Sequence, residues 1–244
     1  MTVLGVLFLG ACASAHVDKR QAMAAGFIGK SIMVDGQKRN YVVYVPREYS
    51  GEKHWPTIMF LHGKGECGGD GWKPVAQGIG RAVMNDCAKW PYIVIFPQKL
   101  DSEKQWEEFD GMVMAMLEAT RQEYRIDPAR TYLTGLSQGG HGTWTIGGMH
   151  PKIWAALVPI CGYGDAAAIA PTVKDLPIWC FHGGADDLVK PEQSRRMIEA
   201  ITSAGGKDVK YTEYPGVNHN SWDKAYGEAD LPVWLEARKM ANSK

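Results

Sequence analysis

The sequence lacks the features of a fibrous, disordered or nucleic-acid-binding protein. Lysine plus arginine and aspartate plus glutamate number 27 each, so the formal net charge is zero. No run of like charge reaches five residues, and a long basic patch for nucleic acid is therefore not expected. Apolar residues make up 45% and charged residues 22% of the 244 positions, which is typical of a globular chain. This length favours a single α/β domain.

Cysteine is scarce as well. Five cysteines are too few for a disulfide scaffold, and no C-x-x-C pair or spaced Cys/His cluster indicates a zinc site. If the chain is exported, Cys67, Cys87, Cys161 and Cys180 allow three full disulfide pairings, between which the sequence does not choose. Cys161 and Cys180 lie in apolar runs, where buried free thiols are the alternative.

Long apolar runs are absent, but a short one opens the chain. Residues 3–9 are mostly apolar and lead into Leu-Gly-Ala-Cys, which predicts an export signal and resembles a bacterial lipobox with Cys12 as the lipid-modified residue. An A-x-A pattern at residues 13–15 is a rival site for ordinary signal peptidase. Since the first residues carry no lysine or arginine, a frayed apolar terminus is a further alternative. The run is too short to span a bilayer as a helix, and no later stretch approaches the roughly 18 uninterrupted apolar residues that a membrane-spanning helix needs.

We therefore expect residues 1–24 to be a leader with a short tether and residues 25–244 to be one soluble domain. The leader predicts export from a bacterial cell, to the periplasm, to the membrane through a lipid anchor at Cys12, or to the medium.

The body of the chain alternates between strand-like and helix-like segments. Apolar or alternating runs predict eight strands, at residues 31–34, 41–45, 57–61, 92–96, 131–134, 155–160, 178–181 and 209–214. Helical patterns predict five helices, at residues 74–87, 110–124, 139–150, 191–203 and 231–240. This alternation predicts a mostly parallel sheet with helices on both faces, which binds its ligands at the carboxyl ends of the strands.

The strongest chemical signal is Gly-Leu-Ser-Gln-Gly at residues 135–139, which follows a predicted strand and precedes a predicted helix. A nucleophilic serine needs a sharp strand-to-helix turn with strained backbone angles. Larger side chains two positions before and after Ser137 would collide where strand and helix approach, which favours glycine at both. The positive end of the helix then points at the reacting centre. The pattern therefore predicts Ser137 as a nucleophile.

A glycine-rich loop follows the strand at residues 57–61. Five glycines fall within residues 63–71, directly after His62. Such a loop can turn backbone N–H groups toward a developing oxyanion. The alternative is a phosphate-binding loop, but the pattern G-x-x-x-x-G-K-[ST] is absent.

Two further strand ends carry an acid and a base. His-Gly-Gly-Ala-Asp-Asp at residues 182–187 offers Asp186 and Asp187 as candidates to orient a histidine, and one of them could instead cap the following helix. His219 follows the last strand and completes the order Ser…Asp…His, with separations of 49 and 33 residues. His62 and His182 precede glycines at strand ends and are better interpreted as residues that brace loops.

Together the four motifs resemble the α/β-hydrolase superfamily. From about residue 31 to the C-terminus the chain is similar to bacterial serine esterases of the dienelactone-hydrolase, phospholipase/carboxylesterase and feruloyl-esterase-like groups. The resemblance implies an α/β-hydrolase fold, with a mostly parallel sheet of about eight strands and no large lid. It also implies Ser137, Asp186 and His219 as the triad, and the backbone N–H groups of Gln138 and Lys64 as the oxyanion hole. Dienelactone hydrolases proper use a cysteine nucleophile, which this chain replaces with Ser137.

The resulting hypothesis is a serine carboxylic-ester hydrolase that works through an acyl-enzyme and needs no cofactor or metal. Three tryptophans in predicted loops, Trp72, Trp106 and Trp222, are candidates for a substrate rim, with ordinary packing as the alternative. A lidless exported enzyme suits short acyl chains or aryl and sugar esters. The alternatives are a peptidase of prolyl-oligopeptidase type and a catalytically inactive binding protein on the same scaffold.

Overall fold

The computed structural model describes residues 24–240, which form one twisted sheet with helices on both faces. The eight strands are β1 (Gly26–Val34), β2 (Gln37–Val45), β3 (Trp55–Leu61), β4 (Ile93–Pro97), β5 (Ile126–Leu136), β6 (Ala156–Ile160), β7 (Ile178–Gly183) and β8 (Val209–Tyr214). Their order is β1-β2-β4-β3-β5-β6-β7-β8. The pairs β1–β2 and β2–β4 are antiparallel and all later pairs are parallel. The predicted α/β fold is confirmed.

In the described part of the chain, seven α-helices connect and cover the strands. They are α1 (Ile79–Asn85), α2 (Asp110–Glu123), α3 (Gln138–Met149), α4 (Ala166–Val173), α5 (Glu192–Ser203), α6 (Trp222–Gly227) and α7 (Asp230–Glu236). Helices α2 to α5 share one hydrophobic cluster with the sheet, and α1, α6 and α7 share a second cluster on its other face. The central strands are buried along their whole length because both faces are covered.

The structure contains all eight predicted strands and all five predicted helices, with shifted ends. Helix α1 is shorter than predicted because residues 73–76 form a separate 3₁₀ turn and Gly78 takes a φ of +54° before the helix begins. Helices α4 and α6 were not predicted. Between β6 and β7 there is one helix, α4, of eight residues, which agrees with the expectation of no large lid.

Two other expectations concern the cysteines and the membrane. Cys67, Cys87, Cys161 and Cys180 are all free thiols, the last two of them buried, which matches the alternative of unpaired cysteines. Within residues 24–240, no helix combines the length and the hydrophobicity that crossing a bilayer requires. The predicted lipid attachment at Cys12 and all but the last residue of the predicted leader lie outside the described residues.

His62 fastens the loops that follow β3 and β4. Its Nδ1 donates to the Gly63 carbonyl at 2.6 Å, and its Nε2 accepts from the Lys99 amide at 3.2 Å. The ring also packs edge-on against Trp106. Burial lowers the pKa of His62 to about 3, so the side chain is neutral in the folded protein near neutral pH. The prediction that His62 braces a loop agrees with these contacts.

We predict that His62 makes the protein less stable as the pH falls. Below pH 6.5, the ordinary pKa of histidine, the unfolded chain binds a proton that the folded chain refuses until about pH 3. The free energy of unfolding should therefore fall by about 1.4 kcal/mol per pH unit across this window from His62 alone. Burial also lowers the pKa of His182, which adds to the slope.

Urea unfolding at several pH values between 7 and 4 measures this slope. The comparison is with His62→Asn, whose amide can still donate near the Gly63 carbonyl but does not titrate. The variant should lose stability less steeply with acid than the wild type. Equal slopes would show that His62 is protonated in the folded protein.

Candidate active site

Ser137 occupies a strained turn between β5 and α3. Its backbone angles are φ 55° and ψ −116°, a conformation that residues other than glycine rarely adopt. Such a residue costs on the order of 1–3 kcal/mol and persists only where its surroundings hold it. Here its N–H donates to the carbonyl of Ile160 at 2.9 Å, which ties the turn to the end of β6. The turn lifts the Ser137 hydroxyl above the carboxyl edge of the sheet.

The glycines on either side of Ser137 allow strand and helix to meet. A Cβ at Gly135 would lie 2.3 Å from the Gly139 carbonyl oxygen, and a Cβ at Gly139 would lie 1.9 Å from the Leu61 carbonyl oxygen. Both distances are too short for any side chain. The close approach therefore explains the Gly-x-Ser-x-Gly pattern and seats the start of α3 on the end of β3.

The structure brings Ser137, His219 and Asp186 together. The Nε2 atom of His219 lies 2.9 Å from Ser137 Oγ, and its Nδ1 atom lies 2.7 Å from Asp186 Oδ2. Asp186 is only 2% exposed. Asp187, the other candidate acid, is exposed and lies in a bend. The geometry thus favours Asp186 as the residue that orients the imidazole.

The loop that carries Asp186 is closed on the carboxylate itself. The amides of Leu188 and Val189 donate to Asp186 Oδ1 at 3.0 and 2.9 Å. The Ala185 amide donates to the Val217 carbonyl at 2.9 Å, which joins this loop to the one that carries His219. The acid and the histidine are therefore fixed to each other by backbone as well as by side-chain bonds.

These contacts also assign the hydrogen of the imidazole. An ionised carboxylate only accepts hydrogen bonds, so His219 Nδ1 carries the hydrogen that it donates to Asp186. In the neutral ring Nε2 is then an acceptor, and the Ser137 hydroxyl is its donor. This tautomer can take the serine proton when the oxygen attacks an electrophile.

The two predicted oxyanion-hole residues lie beside the serine turn. Gln138 is the first residue of α3, where backbone N–H groups have no acceptor within the helix. Lys64 follows Gly63, and a Cβ at Gly63 would lie only 2.9 Å from Leu136 Cδ1, so the loop after β3 packs on the end of β5. The Lys64 ammonium is exposed and pairs with Glu103 at 2.8 Å. Of the two donor groups of Lys64, only the backbone N–H is therefore a candidate for the oxyanion hole.

A buried lysine shapes the loop that covers Gln138. Lys99 is fully buried, and its Nζ donates to the carbonyls of Asp101 and Lys104 at 2.6 and 2.7 Å. The Gln138 side-chain amide donates to Ser102 and Lys104 carbonyls of the same loop at 3.1 and 3.3 Å. The loop after β4 therefore binds the Gln138 side chain. The backbone amide of Gln138, at the start of α3, has no acceptor within the helix.

Two of the three predicted rim tryptophans are not at the rim. Trp106 is fully buried, and its Nε1 donates to the His62 carbonyl at 3.0 Å, so it is a core residue beneath the site. Trp72 packs against Gly29 of β1. In the observed strand order β1 lies four strands from β5, roughly 19 Å at the usual strand spacing. Both predictions were wrong because the sequence shows that a loop begins at the end of a strand but not the position of the loop residues in the folded protein.

Trp222 does lie at the site. Its half-buried ring meets the His219 imidazole edge-on, with ring centroids 5.5 Å apart. The Trp222 ring therefore covers one side of the His219 imidazole.

Sequence reasoning missed Tyr163, which follows the end of β6 and stacks on His141 with ring centroids 4.7 Å apart. The signal available was position, because Tyr163 comes directly after a predicted strand at the carboxyl edge.

A cleft of about 540 Å³ opens beside these residues, and we call it the Tyr163 cleft. Its walls come from α3, from the loop after β6 and from the loop that carries Asp186. The lining residues are His141, Tyr163, Gly164, Asp165, Leu188, Val189, Lys190 and Gln193. His141 lies one helical turn after Ser137, and Leu188 and Val189 are the residues whose amides bind Asp186. The lining contains no triad residue itself, but it includes the backbone that binds the Asp186 carboxylate.

Another cavity, of about 640 Å³, lies at the opposite edge of the sheet, between the start of β3 and α7. Its lining includes Trp55, Tyr92 and Arg130 and, unlike that of the Tyr163 cleft, no residue whose amide binds Asp186. Although it is larger, the Tyr163 cleft is the better candidate for a substrate because of its position.

Among residues 24–240, one set of side chains has atoms close enough to share a metal ion. A sulfur of Cys161, a carboxylate oxygen of Asp186 and a ring nitrogen of His219 lie within 4.8 Å of one another. Both nitrogens of His219 are already engaged, and burial raises the pKa of the Cys161 thiol, which disfavours the thiolate that metals bind. The set fits a hydrogen-bonded triad better than a metal centre.

No family model matches the chain. Over 77% of its length it is 25% identical to acyl-protein thioesterase 1 of Mycosarcoma maydis, covering 92% of that protein. It is 24% identical over 84% of its length to a bifunctional acetylxylan esterase/xylanase of Neocallimastix patriciarum, of which it spans only 30%.

Esterases are also among the solved structures that are similar to this chain. A thermostable esterase is 31% identical with a TM-score of 0.76, matching 88% of this chain and 63% of its own. A ferulic acid esterase of Anaeromyces mucronatus is 15% identical with a TM-score of 0.66, over 88% of this chain and 90% of its own, and shows the fold alone. The strand order, the serine turn and these similarities together show an α/β-hydrolase fold, and the chain is similar to esterases of that fold at low sequence identity.

Proposed function

We propose that the protein is a serine carboxylic-ester hydrolase whose nucleophile is Ser137. The observation that carries this proposal is the unbroken chain of contacts from Ser137 Oγ to His219 at 2.9 Å and from His219 to Asp186 at 2.7 Å. The strained turn presents the hydroxyl, and the buried carboxylate holds the imidazole in the tautomer that accepts a proton. These are the elements that nucleophilic catalysis by serine requires.

In the first half-reaction Ser137 Oγ attacks the ester carbonyl carbon while His219 Nε2 takes the serine proton. The carbonyl electrons move to oxygen, and in this proposal the amides of Gln138 and Lys64 donate to that oxygen and stabilise its negative charge. Loss of one such donor typically costs about 3 kcal/mol of transition-state stabilisation. His219 then gives its proton to the leaving alcohol as the carbon–oxygen bond breaks, which leaves an acyl group on Ser137.

In the second half-reaction water attacks the acyl-enzyme. His219 takes a proton from the water, and the same amides face the second tetrahedral intermediate. When this intermediate collapses, the proton returns to Ser137 Oγ and the carboxylic acid leaves. Asp186 stays ionised throughout and offsets the positive charge on the imidazolium in each half-reaction.

We further propose that the substrates are short-chain or aromatic and sugar esters. The Tyr163 cleft offers one stacked aromatic ring, the apolar side chain of Leu188, and polar groups from Asp165, Lys190 and Gln193. An open cleft of this mixed character can bind a ring with hydroxyl groups but buries little of a long alkyl chain. The relatives named for acetylxylan and ferulic acid ester hydrolysis act on esters of this general kind.

We also propose export, on the strength of the sequence at residues 3–15 alone. Expression of the full chain in a bacterium, followed by mass spectrometry of the mature N-terminus, tests this proposal. A lipid-modified Cys12 or cleavage after Ala15 supports export by one or the other signal peptidase. An unprocessed chain that stays in the cytoplasm contradicts it.

We predict that Ser137→Ala lowers kcat for p-nitrophenyl acetate by at least about 10⁴-fold, because the nucleophile is lost while the fold stays intact. The variant should also fail to react with a fluorophosphonate probe. Ser31→Ala is the matched control, since Ser31 is an exposed serine on β1, and it should keep wild-type activity.

Full activity in Ser137→Ala would overturn the proposal. Absence of probe labelling in the wild type would favour the inactive binding protein. A peptide substrate assayed in parallel separates an esterase from a prolyl-oligopeptidase-type peptidase, because the same triad can cleave amides.

We predict that Tyr163→Ala lowers kcat/KM for an acetylated methyl xyloside by roughly threefold to tenfold, the value of one aromatic contact. Tyr163→Phe keeps the ring and is the matched control. Ethyl acetate is too small to reach the ring, so its kcat/KM should stay within about twofold of the wild type in both variants. An equal loss on both esters would mean that Tyr163 supports the fold of the site and does not contact the substrate.

A further inference from the structure

A second serine–histidine pair lies directly beneath Asp186. His182 is the last residue but one of β7 and Ser194 belongs to α5, and both side chains are fully buried. His182 Nδ1 lies 2.7 Å from Ser194 Oγ. His182 Nε2 lies 2.8 Å from the Val189 carbonyl oxygen and 3.2 Å from Asp186 Oδ2. The carboxylate of Asp186 therefore faces two imidazoles, that of His219 on the open side and that of His182 on the buried side.

The partners of His182 fix where its hydrogen is. The Val189 carbonyl and an ionised Asp186 only accept hydrogen bonds, so Nε2 must carry the hydrogen. Burial lowers the pKa of His182, which keeps the ring neutral and makes Nδ1 an acceptor. Ser194 must then donate to Nδ1. The Cys180 sulfur lies 3.4 Å from Ser194 Oγ, and its thiol donates to that oxygen. The thiol keeps its hydrogen because burial raises its pKa to about 12.

This pair cannot repeat the chemistry of Ser137. Ser194 stands inside α5, on the buried face that it shares with Met197 and Ile201, and not on a strand-to-helix turn. It has no surface through which an ester carbonyl can reach its oxygen. Its hydroxyl is also used to set the hydrogen of His182.

Val189 links the pair to the acid. Its carbonyl accepts from His182, and its amide donates to Asp186 Oδ1 at 2.9 Å. His182, Val189 and Asp186 thus form a closed ring of contacts, two of them hydrogen bonds and the third the 3.2 Å approach of His182 Nε2 to Asp186 Oδ2. A change at His182 would release Val189 and, with it, one of the amides that hold the carboxylate.

The other charged group near His182 comes from β8. Glu213 is its register partner across the β7–β8 ladder, and Arg195 pairs with both carboxylate oxygens of Glu213 at 2.6 and 2.8 Å. The negative charge of Glu213 is therefore largely balanced by Arg195. The titratable or charged groups around the ring are therefore Asp186, His219 and the Glu213–Arg195 pair.

We propose that His182 and Ser194 are positioning residues, which hold the Asp186 loop in the geometry that aims the carboxylate at His219. The pair makes no contact with substrate and acts through Asp186 alone. The inference rests on the proposed esterase function, because it assigns a role toward that triad.

We predict that Ser194→Ala lowers kcat for p-nitrophenyl acetate by about 10-fold to 100-fold, the usual effect of displacing a catalytic group by a fraction of an ångström to one ångström. KM should stay within about twofold, since no substrate contact is lost. His182→Leu, which removes the donor to Val189 and Asp186, should lose at least as much. His182→Gln can place an amide N–H near the position of Nε2 and should recover part of kcat.

Thr57→Val is the matched control. Thr57 is a fully buried hydroxyl of β3 whose bond to the Trp55 carbonyl has no part in the site. It should lower the unfolding temperature without lowering kcat. A drop in kcat for Ser194→Ala that is matched by Thr57→Val, or a lack of recovery in His182→Gln, would reduce the pair to a structural role and overturn the proposal.

A measurement on the wild type does not depend on any variant folding. NMR of ¹⁵N-labelled histidine distinguishes protonated from unprotonated ring nitrogens, and His182 should show a protonated Nε2 and a bare Nδ1 at pH 7. A protonated Nδ1 would contradict the proposal. Fluorophosphonate labelling distinguishes a failure of the positioning role from a failure of the proposed esterase function. If Ser194→Ala keeps both labelling and full kcat, only the positioning role is overturned. If the probe labels Ser194 itself, the assignment of Ser137 as the esterase nucleophile is overturned as well.

Discussion

The buried carboxylate of Asp186 is the interaction on which the rest of the site depends. An ionised carboxylate without partners would be very costly to remove from water. Here Oδ1 accepts from two backbone amides and Oδ2 faces two imidazoles. Satisfying this one group requires the loop after β7 to close, the loop after β8 to join it, and α5 to present a polar side chain to the core. The buried charge thereby selects one arrangement of three segments that are distant in sequence.

The serine turn is the second constraint, and the sheet is built to hold it. A residue with the backbone angles of Ser137 stores strain, which the packing of Gly135 and Gly139 against β3 and the bond to Ile160 keep in place. Strands β3 and β6 are buried throughout and β5 is buried over its last six residues, so the part of the sheet that holds the turn is rigid. A rigid sheet therefore presents the nucleophile, while the acid and base come from loops whose bonds to each other restrain them. This division suits a site in which atoms must stay within hydrogen-bond reach of one another.

Much of this arrangement could be predicted from the sequence, and for identifiable reasons. The strands were found because a sheet covered on both faces needs continuous apolar runs, as at residues 57–61 and 155–160. The serine turn was found because backbone crowding admits only glycine at residues 135 and 139. Ser137, His219 and the two candidate acids Asp186 and Asp187 were expected at one site because ligands bind at the carboxyl edge, where their strands end. The choice of Asp186 as the acid came from the resemblance to α/β-hydrolases.

The parts that were missed depend on paths through space. Helix α6 has only six residues, and α4 contains Pro171, so neither shows a clear helical signal. Trp106 looked like a rim residue because a loop surrounds it, yet the 3₁₀ turn that it begins folds under α3. Ser194 gave one clue, a polar residue on the apolar face of an amphipathic helix, but the sequence could not show that His182 would be its partner.

The most direct test of this view of the site is a crystal structure of the protein after reaction with a small alkyl phosphonate, which mimics the tetrahedral intermediate. We expect phosphorus bonded to Ser137 Oγ and one phosphonate oxygen within about 3 Å of the backbone nitrogens of both Gln138 and Lys64. His219 should remain hydrogen-bonded to Asp186. Phosphorus bonded to any other residue, or a phosphonate oxygen that faces away from both amides, would contradict the assignment of this site.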